Sequence, residues 1–416
     1  MKPFKVSSLL KNILLLSTGT GIAQVIPMLA SIILARLYTS NDYGSLSMFI
    51  SVTGIVGGIA ALRYELTIIL PKKANDARNL LALCLINSLI IGLLSAVVIV
   101  FLSLFFRNRL NISGFNWLYY VPVMVICTGV YNSFDNWFNR QHEFKNMAFL
   151  KIIQSTATST FRILLGIVGV TWGLIGGTVI GYIIISFASI AFFLKKNTLK
   201  WASFTYKEMR RLAISYKDFS LYATPGALLN SASVIGLPLL ITYFYSVKLA
   251  GIYFFANNLI RTPISLFSNA TAQVFKSEAI QFIHADQIEN LKDLIRKVQK
   301  MAFLLIFPVV LILSLFGNSI FSFLFGAQWG ASGDLIKYFA FYLLFGTNFS
   351  IISAMTDILR LQKLNLFFNA SLLFSQIIIF ALCSFYMNFE YTLFVNFLVG
   401  SLHFIFIDRY VKRKLK

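Results

Sequence analysis

The heptapeptides YTSNDYG, residues 38–44, and YSVKLAG, residues 245–251, each stand between two long apolar runs, and they lie 207 positions apart in a chain of 416 residues. Tyr38 falls on Tyr245, Thr39 on Ser246 and Gly44 on Gly251. Polar residues closed by a glycine between apolar runs read as a hairpin turn. Written twice, half a chain length apart, the turn points to an internal repeat, and the runs flanking it decide what is repeated.

Those runs are membrane spans. The chain is 58% hydrophobic and 12% charged, with a mean hydropathy of +0.77, whereas soluble domains are about 45–50% apolar and about 25% charged. The first run, residues 13–37, exceeds the roughly 7–15-residue core of a cleavable signal and is followed by another run, so it reads as a retained span. Runs of about 20 apolar residues bounded by charges and turns predict twelve helices, at 12–37, 44–70, 79–105, 116–138, 148–169, 172–194, 217–243, 249–273, 299–325, 334–358, 364–387 and 390–408. The expected fold class is an all-α polytopic membrane protein.

Charge gives the orientation. The Lys and Arg residues cluster at the N-terminus, on the connections after even-numbered helices and in the C-terminal tail, against only Arg107, Arg109 and Lys248 on the other side. Positive residues near span ends stay cytoplasmic, which predicts that both termini face the cytoplasm. The net charge of +21 therefore lines a membrane surface instead of forming a nucleic-acid patch. No nucleic-acid partner is expected; membrane lipids are. Every connection is short, the longest at 195–216 and 276–298, which speaks against a glycan polymerase or ligase with its chemistry on a large external loop.

The basic connection 195–216 separates six helices from six: an N-terminal bundle, 1–194, and a C-terminal bundle, 217–416. An even number of spans per half leaves both halves in one orientation, the parallel repeat whose bundles rock about a central site. Pro27 falls in helix 1, and Pro225 and Pro238 in its counterpart, helix 7; interrupted helices at matching places mark candidate gates.

Deep charge identifies candidate site residues. Arg261 lies near the middle of helix 8, Arg162 just past the centre of helix 5 and Arg63 inside helix 2. A central arginine costs roughly 2.5–3.5 kcal/mol on insertion scales, so such residues face a partner or a water-filled cavity. Glu65 is the one carboxylate well inside a span, and two residues from Arg63 on a helix it is expected to point elsewhere. Asp135 and Asp357 lie near cytoplasmic helix ends, Asp357 with Arg360 as a local partner; Arg36 and Lys337 are expected to snorkel, with Asp334 beside Lys337. Guanidinium engages phosphate oxygens in bidentate fashion, so the arginine surplus suits an anionic substrate, with Glu65 as a candidate for ion coupling.

Other signals exclude. Cys84, Cys127 and Cys383 lie in apolar runs, and His142, His284 and His403 are scattered, so neither disulfide nor metal site is expected. No GxxxxGK[ST] loop is present, so no phosphate cradle of the ATPase kind and no cofactor is anticipated. Gly169, Gly173, Gly177 and Gly181 recur every four residues, a helix-packing stripe. The tyrosines of the repeated turn, Tyr38 and Tyr245, read as interfacial anchors.

The stretches LSTGTGIAQVIPMLASIILARLYTSNDYG, LRYELTIILPKKANDA, RILLGIVG with GLIGGTVIG, NNLIRTPISLFSNATAQVFKSEA and FGAQW resemble the bacterial polysaccharide-export and O-antigen repeat-unit flippases of the multidrug/oligosaccharidyl-lipid/polysaccharide (MOP) superfamily. The resemblance spans nearly the whole chain, and it implies two six-helix bundles around a central cavity. It further implies a transporter, not an enzyme, in the bacterial cytoplasmic (inner) membrane. The substrate implied is an undecaprenyl-diphosphate-linked oligosaccharide for O-antigen (lipopolysaccharide) or other surface polysaccharide synthesis, with the pathway's polymerase and glycosyltransferases as possible partners. Arg63 and Arg261, on corresponding helices of the two bundles, fall where related flippases carry cavity cations. The rival on the same fold is a multidrug cation exporter, which would need deep acids to outnumber deep arginines.

Overall fold

The structure, a computed structural model, describes residues 6–105, 116–196, 205–359 and 361–415. Arg107, Arg109, Lys200 and Arg360 fall outside the described residues, as does the side chain of Asp357. No strand occurs among the described residues. The chain runs α1 (Val6–Leu37), α2 (Ser40–Gly57), α3 (Ala74–Phe105), α4 (Val121–Arg140), α5 (Phe144–Ile167), α6 (Gly173–Lys196), α7 (Tyr206–Ser215), α8 (Thr224–Ile235), α9 (Leu237–Phe244), α10 (Val247–His284), α11 (Ile288–Phe325), α12 (Gly330–Asp334), α13 (Ile336–Ile352), α14 (Ala354–Ile358), α15 (Gln362–Cys383) and α16 (Phe389–Arg413).

Among the described residues, six helices are long and apolar enough to cross a membrane: α1, α3, α6, α11, α15 and α16. Two bent pairs qualify when taken together, α8 with α9 at 55° and the segment Ala327–Asp334 with α13 at 52°. The protein is an all-α, multi-pass membrane protein. Predicted spans in α2, α4, α5 and α10 fall below that apolar standard. For α4 and α5 the reason is that they carry the polar side chains of a cavity described below.

Four predicted helices differ in an instructive way. Helix 2 was expected to reach residue 70, but α2 stops at Gly57. After the Gly57–Gly58 pair the chain tightens into i→i+3 hydrogen bonds, Ile59 to Val56 and Ala60 to Gly57, passes through positive φ at Leu62 (51°) and Arg63 (62°), and makes a 3-10 turn over Tyr64–Thr67. Paired glycines weaken a helix interior, and apolar character alone does not reveal the break. Helix 7 is divided at Gly236, with Pro225 where a π-helical turn, Phe219–Ala223, passes into α8 and Pro238 second in α9, where proline's missing N–H costs nothing. Pro27, by contrast, lies within an unbroken α1. Helices 8 and 9 run about ten residues longer than their apolar cores, as α10 and α11, because polar turns continue both beyond the spans.

The described chain forms two compact units, Met1–Tyr38 with Met48–Gly236, and Thr39–Ser47 with Leu237–Lys416. In the first, α5 packs between α1 and α6, α4 packs on α3 and α6, and the short amphipathic α7 rests on α3. Its buried cluster centres on Trp137, Phe138, Phe134, Leu80 and Ile68. The three cysteines are free. In the second unit, α13 contacts α10, α11 and α16 over a core containing Phe275, Ile295, Phe349 and Ile352.

In the first copy of the repeated turn the tyrosine is packed into the protein and is not an interfacial anchor. Tyr38 is 3% exposed; its hydroxyl donates to the Arg162 carbonyl at 2.8 Å, and Gly166 and Gly173 press on its ring. Tyr245 is half-buried, its hydroxyl shared with Thr392 Oγ1 at 2.6 Å and donated to the Met387 carbonyl at 3.3 Å, its ring edge-on to Phe380 and Phe389. Within the second unit the two turn glycines also meet: a Cβ on Gly44 would strike the Val247 carbonyl, and one on Gly251 would strike the Ser40 carbonyl and the Gly44 nitrogen.

Candidate functional site

Within the first unit, α1, α2, α4, α5 and α6 enclose a cavity of about 510 Å³. Its polar wall comes chiefly from α5, where Lys151, Gln154, Ser155, Thr158, Ser159 and Arg162 line it. That spacing places the side chains on one helical face. Opposite them stand Thr20, Gln24 and Pro27 of α1, Thr53 of α2, Tyr131 of α4 and Thr178 and Tyr182 of α6. The fixed cations are Arg162 and Lys151, and most of the rest is neutral and able to hydrogen-bond.

Arg162 is the most closely held. Its Nε donates to the Leu174 carbonyl at 3.2 Å and to Thr178 Oγ1 at 3.1 Å, and an Nη2 proton reaches the same Oγ1 at 2.7 Å. The close approach of α6 depends on Gly177, where a Cβ would strike the Arg162 backbone nitrogen and Cγ. Lys151 acts electrostatically on Asp135 of α4, whose Oδ1 is buried without a hydrogen-bond partner. The Gln24 Oε1 is likewise buried and unpartnered, an acceptor turned into a wall that a ligand hydroxyl could satisfy.

The other sequence-predicted residues lie elsewhere. Arg63 and Glu65 are not in the cavity lining. Contrary to expectation they pair, Nη1 to Oε1 at 3.5 Å, because the backbone between them is a left-handed residue leading into a 3-10 turn instead of a helix. The pair is incompletely satisfied: Arg63 Nε and Glu65 Oε2 are buried without partners. Arg261, in the second unit, is exposed on α10 and makes no hydrogen bond or ion pair among the described residues, although its charge acts on Tyr253 and Tyr342. Pro27 and Arg162 share the one cavity. At the α8–α9 bend, the Ser51 hydroxyl of α2 caps the Ile235 carbonyl at 2.7 Å.

Asp334 and Lys337 do not pair. The chain bends between α12 and α13, so Asp334 accepts from Asn318 Nδ2 at 2.6 Å and Lys337 lies 5.1 Å from the Tyr338 ring centre. No group of three or more metal-ligating side chains occurs among the described residues. Sequence reasoning missed Lys151, Gln154, Gln24, Tyr131 and Tyr182. The legible signal was the polar stripe KIIQSTATSTFR, whose polar members recur at helical spacing inside a span.

The fold is similar to that of solved MOP-superfamily transporters. A multidrug resistance MATE family transporter of that superfamily, in an inward-facing conformation, superposes with a TM-score of 0.71 at 16% identity over 94% of each chain. The lipid II flippase MurJ, in an inward closed conformation, superposes with a TM-score of 0.73 at 15% identity, covering 95% of this chain and 87% of that one. No curated protein matches the sequence. The family model described as "Polysaccharide biosynthesis protein" matches residues 33–333, and the chain belongs to that family.

Proposed function

We propose that this protein is a flippase that carries a polyprenyl-diphosphate-linked oligosaccharide from the cytoplasmic to the outer leaflet of a bacterial inner membrane. Two six-helix halves, 1–194 and 217–416, joined by the basic segment 195–216, would alternate access, with Pro27, Pro225 and Pro238 on the moving helices and both termini cytoplasmic. The observation that carries this reading is the cavity of the first unit, where Arg162 and Lys151 stand among neutral hydrogen-bonding side chains. Arginine offers a diphosphate a fork of donors, and Gln24, Gln154 and the cavity tyrosines offer sugars hydrogen bonds and ring faces. The MurJ fold supports a lipid-linked glycan as cargo, and the family's description supports a polysaccharide pathway, of which O-antigen assembly is the form we favour.

In the same reading Arg261 and Arg63 contribute further cationic contacts along the route, and Glu65, held by Arg63, couples transport to an ion. The pathway's polymerase and glycosyltransferases are the partners this implies. A multidrug cation exporter on the same fold would set acids against its cargo, whereas here two cations line the cavity wall. The test is complementation: in a strain lacking its own copy, Arg162→Ala at normal protein level abolishes surface polysaccharide and lets the lipid-linked repeat unit accumulate on the cytoplasmic face. Undiminished surface polysaccharide would overturn the assignment.

A further inference from the structure

Arg162 projects from α5, but a side chain of α6 sets its direction. Thr178 is 4% exposed, and its hydroxyl is fully used. It donates to the Leu174 carbonyl at 2.6 Å and accepts from Arg162 Nε at 3.1 Å and Nη2 at 2.7 Å. A hydroxyl has one proton and two lone pairs, so these three bonds leave it no other orientation. Nε and Nη2 form one edge of a planar guanidinium. Bonding both to a single oxygen therefore fixes the plane of the group as well as its distance, and turns that edge toward α6.

Gly177 makes the arrangement possible by admitting the α5 backbone beside Thr178, and Gly181 repeats the approach one turn on, against Thr158. The stripe of glycines therefore has a consequence beyond packing: it brings α6 close enough for a short threonine hydroxyl to reach an arginine whose own helix lies opposite.

We propose that Thr178 is the positioning residue of the substrate site, holding the Arg162 guanidinium in the orientation that receives a diphosphate. The proposal rests on the reading of Arg162 as a diphosphate-binding residue. An arginine already ordered before the ligand arrives forfeits less side-chain freedom on binding, so the hydroxyl contributes to affinity without touching the ligand.

The full-length protein in lipid nanodiscs, titrated with undecaprenyl diphosphate, tests this through four variants: Thr178→Val, Thr178→Ser, Arg162→Ala and the double variant Thr178→Val/Arg162→Ala. Valine keeps the shape of threonine and removes only the hydroxyl; Thr178→Ala reads the same loss should the valine variant not elute as a single species. Thr178→Val weakens binding about ten-fold, in line with losing hydrogen bonds to a charged group, and Thr178→Ser restores it. In the Arg162→Ala background Thr178→Val has no further effect, the mark of two residues acting as one. An equal loss from Thr178→Val in both backgrounds would mean a merely structural threonine and overturn the proposal. Unchanged affinity in Thr178→Val beside a weakened Arg162→Ala would overturn it while sparing the diphosphate reading. Unchanged affinity in Arg162→Ala itself would overturn both.

Discussion

Substituting Tyr38 with Phe, Trp and Ala decides what the tyrosine of the repeated turn does. An interfacial anchor presents its ring to the headgroups and accepts Trp in its place. The structure puts Tyr38 in a socket instead, 3% exposed, with Gly166 and Gly173 against the ring and the hydroxyl on the Arg162 carbonyl. Phe removes one neutral hydrogen bond, worth about 0.5–1.5 kcal/mol net. Its acceptor lies within α5, where the helical ladder supplies another donor, so the lower end of that range applies. Trp must enlarge a socket walled by helix backbone, and overpacking of this kind costs about 1–3 kcal/mol. Ala empties the socket, and aromatic-to-Ala changes in cores cost about 3–5 kcal/mol. Stability in one fixed detergent, read as the fraction still eluting as a single species after a heat challenge, should therefore fall in the order Tyr, Phe, Trp, Ala. A Trp variant as stable as wild type, or an Ala variant indistinguishable from it, would refute the clamp.

Three further outcomes are expected. Gly44→Ala and Gly251→Ala each strike a backbone carbonyl that cannot rotate away, so each lowers the midpoint of the same heat challenge by an overpacking cost of about 1–3 kcal/mol, the reverse of the gain Gly→Ala normally gives inside a helix. Glu65→Gln keeps the side chain's shape but removes the charge facing Arg63 Nη1, and loses about 1 kcal/mol in that assay; a gain would mean that the pair is a net burden on the fold. Lys292, 2.6 Å from Glu289 in the first turn of α11, holds that carboxyl below its ordinary value of 4.5. A lowered folded-state value adds stability above the ordinary one and loses it as pH falls through the folded one. The protection of the second-turn amides of α11, after correction for the intrinsic pH dependence of exchange, should therefore fall on acidification below about 4.5, and Lys292→Ala should flatten that dependence.

Most of the spans were legible because apolar length is a strong signal: each of the twelve predicted segments overlaps a helix or a helix pair, and among the described residues six of those helices and two bent pairs are long and apolar enough to cross a membrane. Their interruptions were not. Beyond Gly57 the chain stays apolar through Ile59, Ala60, Ala61 and Leu62, so hydropathy continues a helix that the backbone has left, and the ion pair of Arg63 with Glu65 follows from φ values that no periodicity announces. The same limit applied at Asp334 and Lys337, where i,i+3 reasoning presumed a straight helix. Arg162 was legible as a deep charge. Its companions Lys151, Gln154 and Thr158 were individually unremarkable, and only their common face gives them meaning.

The structure gives the repeated heptapeptide more weight than two identities and one conservative match in seven can carry. Ser40 and Val247 occupy equivalent positions at the 207-residue offset, so the approach of Gly44 to Val247 and that of Gly251 to Ser40 are one contact made twice. The tyrosines behave in parallel: Tyr38 ties into α5 at Arg162, and Tyr245 into Met387 and Thr392 between α15 and α16, that is, the fifth predicted span in one copy and the junction of the eleventh and twelfth in the other. What is not duplicated is charge. Beyond Lys363 in its first turn, α15 has neither lysine nor arginine, whereas α5 bears Lys151 and Arg162 on its cavity face. That asymmetry between α5 and α15 is why the Arg162 variants, and not their counterparts on α15, are the ones to test first.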